Sequence, residues 1–284
     1  MKIKQGFWVL FLSISIPIFS IAQNDTSQPK KNVFTAGINY QSKLHYFGRT
    51  DSLRSSGVFP TIGFQLKEGF YVNSNFILVN NNLSNLSYNG TVLEGGFRFP
   101  QTRNFSGNIF YTQFLYKNSS ELVQSALKSQ TGINLVYNNK IVNVNVGGDA
   151  KFSNKTDYGA TAGLDHLFIY LIPQTKNAIA INPSLYAYTG TQNFTETYYE
   201  KRKVNVLGLP IGGQQQQVTS TSTKFNVLAY EFSVPIVFVA GKFNASLTPS
   251  YVMPQNLVNV PNRPDLSENG KNMFYFSAGV GVRL

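Results

Sequence analysis

The chain has 284 residues, 42% apolar and only 13% charged, with 24 Lys and Arg against 13 Asp and Glu. Charge is sparse beside the roughly one quarter usual in soluble globular chains, whereas 16 Tyr and 23 Phe make the sequence aromatic-rich. Cysteine is absent, which excludes disulfides, thiolate metal sites, a cysteine nucleophile and a lipoprotein anchor.

Lys2 and Lys4, the apolar run Gly6 to Ile21 broken by Pro17, and the small residues of Ser20-Ile21-Ala22 read as a cleaved secretory signal over residues 1–22. Residues 23–32 are polar and contain Pro29, as expected of a periplasmic linker. Beyond residue 22 no apolar run is long enough for a membrane helix. This composition alone suits a secreted β-sandwich and a transmembrane barrel equally.

Alternation then starts. Val33 to about Tyr46 sets Phe34, Ala36, Ile38, Tyr40, Leu44 and Tyr46 against Thr35, Gly37, Asn39, Gln41, Lys43 and His45. That run is longer than soluble strands need and long enough for a tilted bilayer crossing. About 57–67 and 70–80 form a hairpin around Lys67-Glu68-Gly69. The fourth strand, about 86–99, changes parity, so a bulge is expected near Gly90. The fifth, Phe105 to Tyr116, is apolar on both rows and its faces stay unassigned; a helical turn is expected within Leu122 to Lys128.

Strands follow at about 130–137, 142–152, 156–168 and 178–189, then the longest loop at about 190–223. The tenth, Phe225 to Val239, should turn Leu228, Tyr230, Phe232, Val234, Ile236 and Phe238 outward. The eleventh directs Phe243, Ala245, Leu247 and Tyr251 outward, and a Pro/Asn-rich loop from Pro254 to Lys271 leads to the last strand. The count is about twelve, and short links largely alternate with long ones, the habit of barrels with short periplasmic turns and long outer loops. Tyr46, Phe70, Phe97, Phe99, Phe168 and Phe274 are placed to form interfacial girdles.

Parity sends Lys43, His45, Lys67, Glu94, Arg98, Asp149, Lys151, Asp165, Glu231, Lys242 and Arg283 inward, and all but Lys67 and Lys242 are taken as pore-lining candidates. Glu94 and Glu231 belong near mid-depth on opposite walls. Either a polar constriction or a salt-bridged filling would account for such charges. Arg49, Arg54, Lys117, Lys128 and the cluster Lys201, Arg202 and Lys203 suit an anionic lipid rim. No element offers a groove-reading surface for nucleic acid. Gly208 to Gly213 lacks the helix of a phosphate loop, and Asp265 to Asn269 lacks the spacing of a calcium loop.

The closing stretch, Met273 to Leu284, sets Phe274, Phe276, Ala278, Val280, Val282 and Leu284 against Tyr275, Ser277, Gly279, Gly281 and Arg283. It resembles the closing strand of Gram-negative outer-membrane β-barrel proteins. The resemblance implies an all-β, antiparallel transmembrane barrel of about twelve strands over residues 33–284, with both termini periplasmic. It implies export to the outer membrane, assembly through Met273 to Leu284 by the barrel-assembly machinery, lipid and lipopolysaccharide as neighbours, and no cofactor. The expected role is a passive pore or small-solute channel; the alternative is a non-transporting surface barrel working through its long loops. Some outer-membrane phospholipases are similar in strand number, but His166 is followed by Leu-Phe-Ile and their histidine-serine-glycine signature is missing, so no catalytic residue is assigned.

Overall fold

A computed structural model describes residues 31–50, 55–82, 85–102, 104–117, 120, 122–193, 224–257 and 270–284. The signal segment, nearly all of the linker and of the 190–223 loop, Arg54, Lys201, Arg202, Lys203 and the stretches 208–213 and 265–269 lie outside the described residues.

The strands are β1 (Val33–Gln41), β2 (Ser56–Gln65), β3 (Phe70–Asn80), β4 (Ser87–Arg98), β5 (Phe105–Tyr116), β6 (Ser129–Tyr137), β7 (Asn143–Phe152) and β8 (Thr156–Asp165). They continue as β9 (Phe168–Leu171), β10 (Asn177–Ile181), β11 (Ser184–Gly190), β12 (Asn226–Ser233), β13 (Ile236–Ala240), β14 (Phe243–Pro254) and β15 (Met273–Arg283). β8 with β9, β10 with β11, and β12 with β13 are single staves, each interrupted by two residues, so the wall has twelve staves. Pro183 and Pro235 sit in two of those interruptions, where proline has no N–H to give the ladder. The seams stay bonded through His166 N–H to the Pro183 carbonyl (3.2 Å) and Asn182 N–H to the Pro235 carbonyl (2.9 Å).

Closure is complete. β15 pairs antiparallel with β1 from Thr35↔Arg283 to Gln41↔Ser277, and β14 pairs with β12 and β13 on its other side. A sheet whose first and last staves pair has no open edge, the condition for placing strands in hydrocarbon. The turns at 66–69, 99–104, 138–142, 172–176 and 241–242 gather at the end that holds Val33 and Leu284; the other connections, from the three-residue turn 153–155 to the long links, gather at the opposite end. The link between the eighth and ninth staves is tighter than the sequence suggests, because β9 carries the strand on to Leu171.

Alternation sorts the side chains by face. Phe34, Ile38, Ile62, Phe64, Val72, Ile109, Val146, Leu164, Phe232, Phe274 and Val280 all point out and are exposed. β5, unreadable from sequence, turns Phe105, Ile109, Tyr111 and Leu115 outward and Ser106, Asn108, Phe110, Thr112 and Phe114 inward. The bulge expected near Gly90 is present, since Ile77 pairs with Gly90 and Leu78 with Tyr88. A second one lies where Tyr188 pairs with Ala229 but Thr189 with Val227. It turns Leu228 inward, so that this residue joins the core instead of the outer face expected of it. The expected helical turn is a short 3-10 helix, Val123–Ala126.

The first strand is the main departure. It stops at Gln41, and Leu44 and Tyr46, expected outside, are buried within the barrel at 4% and 5% exposure. Tyr46 therefore belongs to no girdle, whereas Phe70, Phe168 and Phe274 stay on the outer surface.

Candidate functional site

The lumen has two levels. Along β14, β15, β1, β2 and β3 many inward residues are polar or small and half-exposed (Thr248, Ser246, Ser277, Gly281, Arg283, Thr35, Thr61, Gln65, Asn73 and Asn75), whereas Asn39, Gln41, Tyr71 and Ser250 of the same rows are buried. Arg283 and Arg98 lie here; Arg98 donates to Gln65 Oε1 at 2.5 Å and covers the Tyr71 ring at 5.0 Å. The opposite wall is a buried polar network. Asn134 Nδ2 donates to Asn108 Oδ1 (3.2 Å), Asn108 Nδ2 to the Tyr71 hydroxyl (3.0 Å), and Thr112 Oγ1 to Glu94 Oε2 (3.3 Å). Asp165 accepts from Asn143 Nδ2 (2.9 Å) and Asn145 Nδ2 (2.6 Å).

Near the long-loop end the lumen is apolar and filled. Twelve staves enclose more space than wall side chains occupy, since about eight already leave an interior that they just fill. The extra volume is taken by the connection between β1 and β2. Leu44 to Arg49 folds inside as a small hairpin, with Tyr46 and Arg49 exchanging backbone bonds at 2.7 and 3.0 Å. Its tip residues are both left-handed, Phe47 at φ 51° and Gly48 at φ 77°, the pair of positive angles a type I′ turn requires. Glycine is forced at 48 for a second reason, because a Cβ there would lie 2.8 Å from Pro254 Cδ.

Three contacts hold the hairpin. Phe47 packs on the Tyr188 ring at 5.0 Å, with the Lys151 ammonium 6.0 Å from its centroid. His45 meets the Tyr275 ring edge-on at 4.4 Å. Arg49, 1% exposed, donates to the Phe47 carbonyl (3.2 Å), the Leu228 carbonyl (3.1 Å) and the Gln255 carbonyl (3.1 Å). Arg49 is therefore an internal tie and no part of a lipid-facing rim. Burial pushes the His45 imidazole down to about 4 and, with Asp149 and Asp157 adding to it, pushes the Tyr46 phenol up.

The inward charges separate into groups. Glu94, Lys151 and Asp165 are buried in the wall, and Lys151 pairs with Asp149 on its own strand. Glu231 accepts from the Tyr275 hydroxyl at 2.9 Å. Arg98 and Arg283 lie on the half-exposed side. Three inward expectations are overturned. Lys43 lies beyond the end of β1, exposed, donating to the Phe274 carbonyl (2.8 Å); Lys67 and Lys242 sit exposed in turns, Lys67 beside Glu68. Parity ceases to predict a face once the strand has ended. His45 is inside as expected, but as filling carried by the hairpin and not as a wall residue. His166 faces outward and meets the Phe168 ring edge-on at 4.4 Å. Sequence reasoning gave Arg49 to the lipid rim and missed Phe47; the Phe-Gly pair in a run of expected alternation was the available sign.

A largely apolar exterior around a closed sheet has one compatible surrounding. The chain is a membrane-spanning β-barrel of the outer-membrane type. No family model matches the barrel, and no curated protein matches it by sequence. Among solved structures it is similar to the KdgM porin (10% identity, 87% of this chain and 98% of that one, TM-score 0.47). It is also similar to an outer-membrane channel from Pseudomonas putida F1 (11%, 92% and 100%, 0.46) and to LpxR from Salmonella typhimurium (11%, 87% and 99%, 0.44). Likeness at this level transfers no residue role to the barrel.

Proposed function

We propose that this barrel is a passive outer-membrane channel for small water-soluble solutes, with its short-turn end toward the periplasm. The observation that supports it is the half-exposed polar lining of β14, β15 and β1 to β3, which leaves room for water along part of one side of the lumen. Apolar filling throughout would have suited a purely structural barrel better. Arg98 and Arg283 border that space; among the described residues neither forms an ion pair with a carboxylate, which favours anions. The inward hairpin narrows the long-loop mouth and limits conductance.

The test is single-channel recording in planar bilayers. Steady current that scales with salt, and that rises when Leu44 to Arg49 is replaced by a short Gly/Ser link, supports the channel. A barrel silent both with and without the hairpin overturns it and leaves the loop-mediated surface role.

A further inference from the structure

The inward hairpin is held by contacts that need a neutral imidazole at its base. His45 Nδ1 accepts from the Gly48 backbone N–H at 3.2 Å, which places the ring proton on Nε2. Nε2 is buried and meets no acceptor. Protonation would set an N–H on Nδ1 against the Gly48 N–H, replacing a bond with two opposed donors. It would also bring a cation into a buried site against the Tyr275 ring, a member of the apolar cluster.

The charges around the ring give a new cation little relief. On β15 the neighbour is Tyr275, whose hydroxyl already engages Glu231 of β12. Arg49 of the same hairpin is itself a cation. Behind the tip, Asp149 of β7 is paired with Lys151, and Asp157 of β8 accepts from Thr191 Oγ1 (2.6 Å) and the Asn193 backbone N–H (2.5 Å). The tip is also strained, since Phe47 occupies a backbone region that bulky residues rarely enter and keep only when their surroundings impose it.

We infer that Leu44 to Arg49 is an acid-released latch across the long-loop mouth, with His45 as the group whose protonation lets it go. The latch does not depend on solute crossing the lumen. Its direction agrees with burial lowering His45 from 6.5 to about 4. A group whose packed-state pKa lies below its free value keeps the latch fully closed above pH 6.5. Closure weakens as pH falls below that value and levels off once pH passes about 4.

The chain has no cysteine, so a single engineered thiol reports loop position cleanly. Ser55→Cys is nearly isosteric, and the Ser55 carbonyl, which accepts from Leu44 N–H at 2.7 Å, marks the base of the latch. Labelling of S55C by a membrane-impermeant thiosulfonate is normalised to Asn154→Cys, exposed in the 153–155 turn. Between pH 7.5 and 5 the normalised rate should rise roughly 30-fold. In S55C with His45→Asn, whose amide oxygen can still accept from Gly48 N–H, the rise should vanish; His45→Gln serves if that variant does not fold. A flat S55C profile overturns the latch without any change at 45, and so does an equal rise in the His45 variants. If Glu231 captured the imidazolium, labelling would fall with acid, which also overturns it. pH-dependent labelling in a barrel without conductance keeps the latch and removes the channel; conductance with flat labelling does the reverse.

Discussion

Arg49→Met removes the tie between the hairpin and the β12 and β14 part of the wall while keeping most of its volume. Two of its bonds are long-range, to the Leu228 carbonyl at 3.1 Å and the Gln255 carbonyl at 3.1 Å, on β12 and just past the end of β14. A charged donor contributes about 1.5–3 kcal/mol per bond in mutational data. Taking the low end for each, because burying the guanidinium offsets part of the gain, the hairpin loses about 3 kcal/mol of closure. That corresponds to roughly a 150-fold rise in the open fraction, at RT of about 0.59 kcal/mol. Chymotrypsin reads this directly: its targets Tyr46 and Phe47 are buried at 5% and 9% exposure and are cut only when the hairpin leaves the lumen. Under conditions where opening is fast relative to cleavage, the initial rate at 46–47 should rise by about that factor. A rate within twofold of the unmodified barrel would refute the account of Arg49 as the tie.

Other substitutions separate wall from lumen. Gly163→Ala places a Cβ 2.1 Å from Tyr186 Cδ1, so the ring must leave its buried site, and urea unfolding in vesicles should show a loss of about 1–3 kcal/mol. Val280→Arg, on an outward residue 60% exposed to the membrane, should cost about 2–4 kcal/mol if it lies near the bilayer centre, and a loss under about 0.5 kcal/mol would argue against a lipid-facing stave. Arg283→Gln should move the reversal potential toward cation preference in a salt gradient, while Glu94→Gln, 2% exposed in the wall, should leave it unchanged. Deleting 273–284 leaves β1 and β14 each with one unpaired edge, and the protein should sediment as aggregate when refolded with lipid.

Strand number, link order and most faces were legible because a side chain's face follows from the parity of its position, a local rule that survives any tertiary arrangement. β15 shows this most plainly, with every outward residue from Phe274 to Leu284 where alternation puts it. The rule failed where the backbone stopped being a strand. Leu44 and Tyr46 continue the written pattern of β1, but the chain bends after Gln41 and carries them inside. Leu228 broke it through a bulge opposite Tyr188, a pairing event that no single strand encodes. β5 was ambiguous because its inward row packs Phe110 and Phe114 into a filled part of the lumen, where apolar residues serve as well as outside.

The sequence by itself determined that the chain alternates, closes on its last stretch and bears its strand charges, such as Glu94, Arg98, Asp165 and Arg283, on the inner row. Only the tertiary structure decided which charges meet water, because that depends on what fills the space between walls. Glu94 is sealed by Thr112 and its neighbours, whereas Arg283 stays half-exposed, and both look alike as inward letters. Arg49 ended up buried because twelve staves leave room that must be occupied, and carbonyls from β12 and from just past β14, distant along the chain, converge there to receive it.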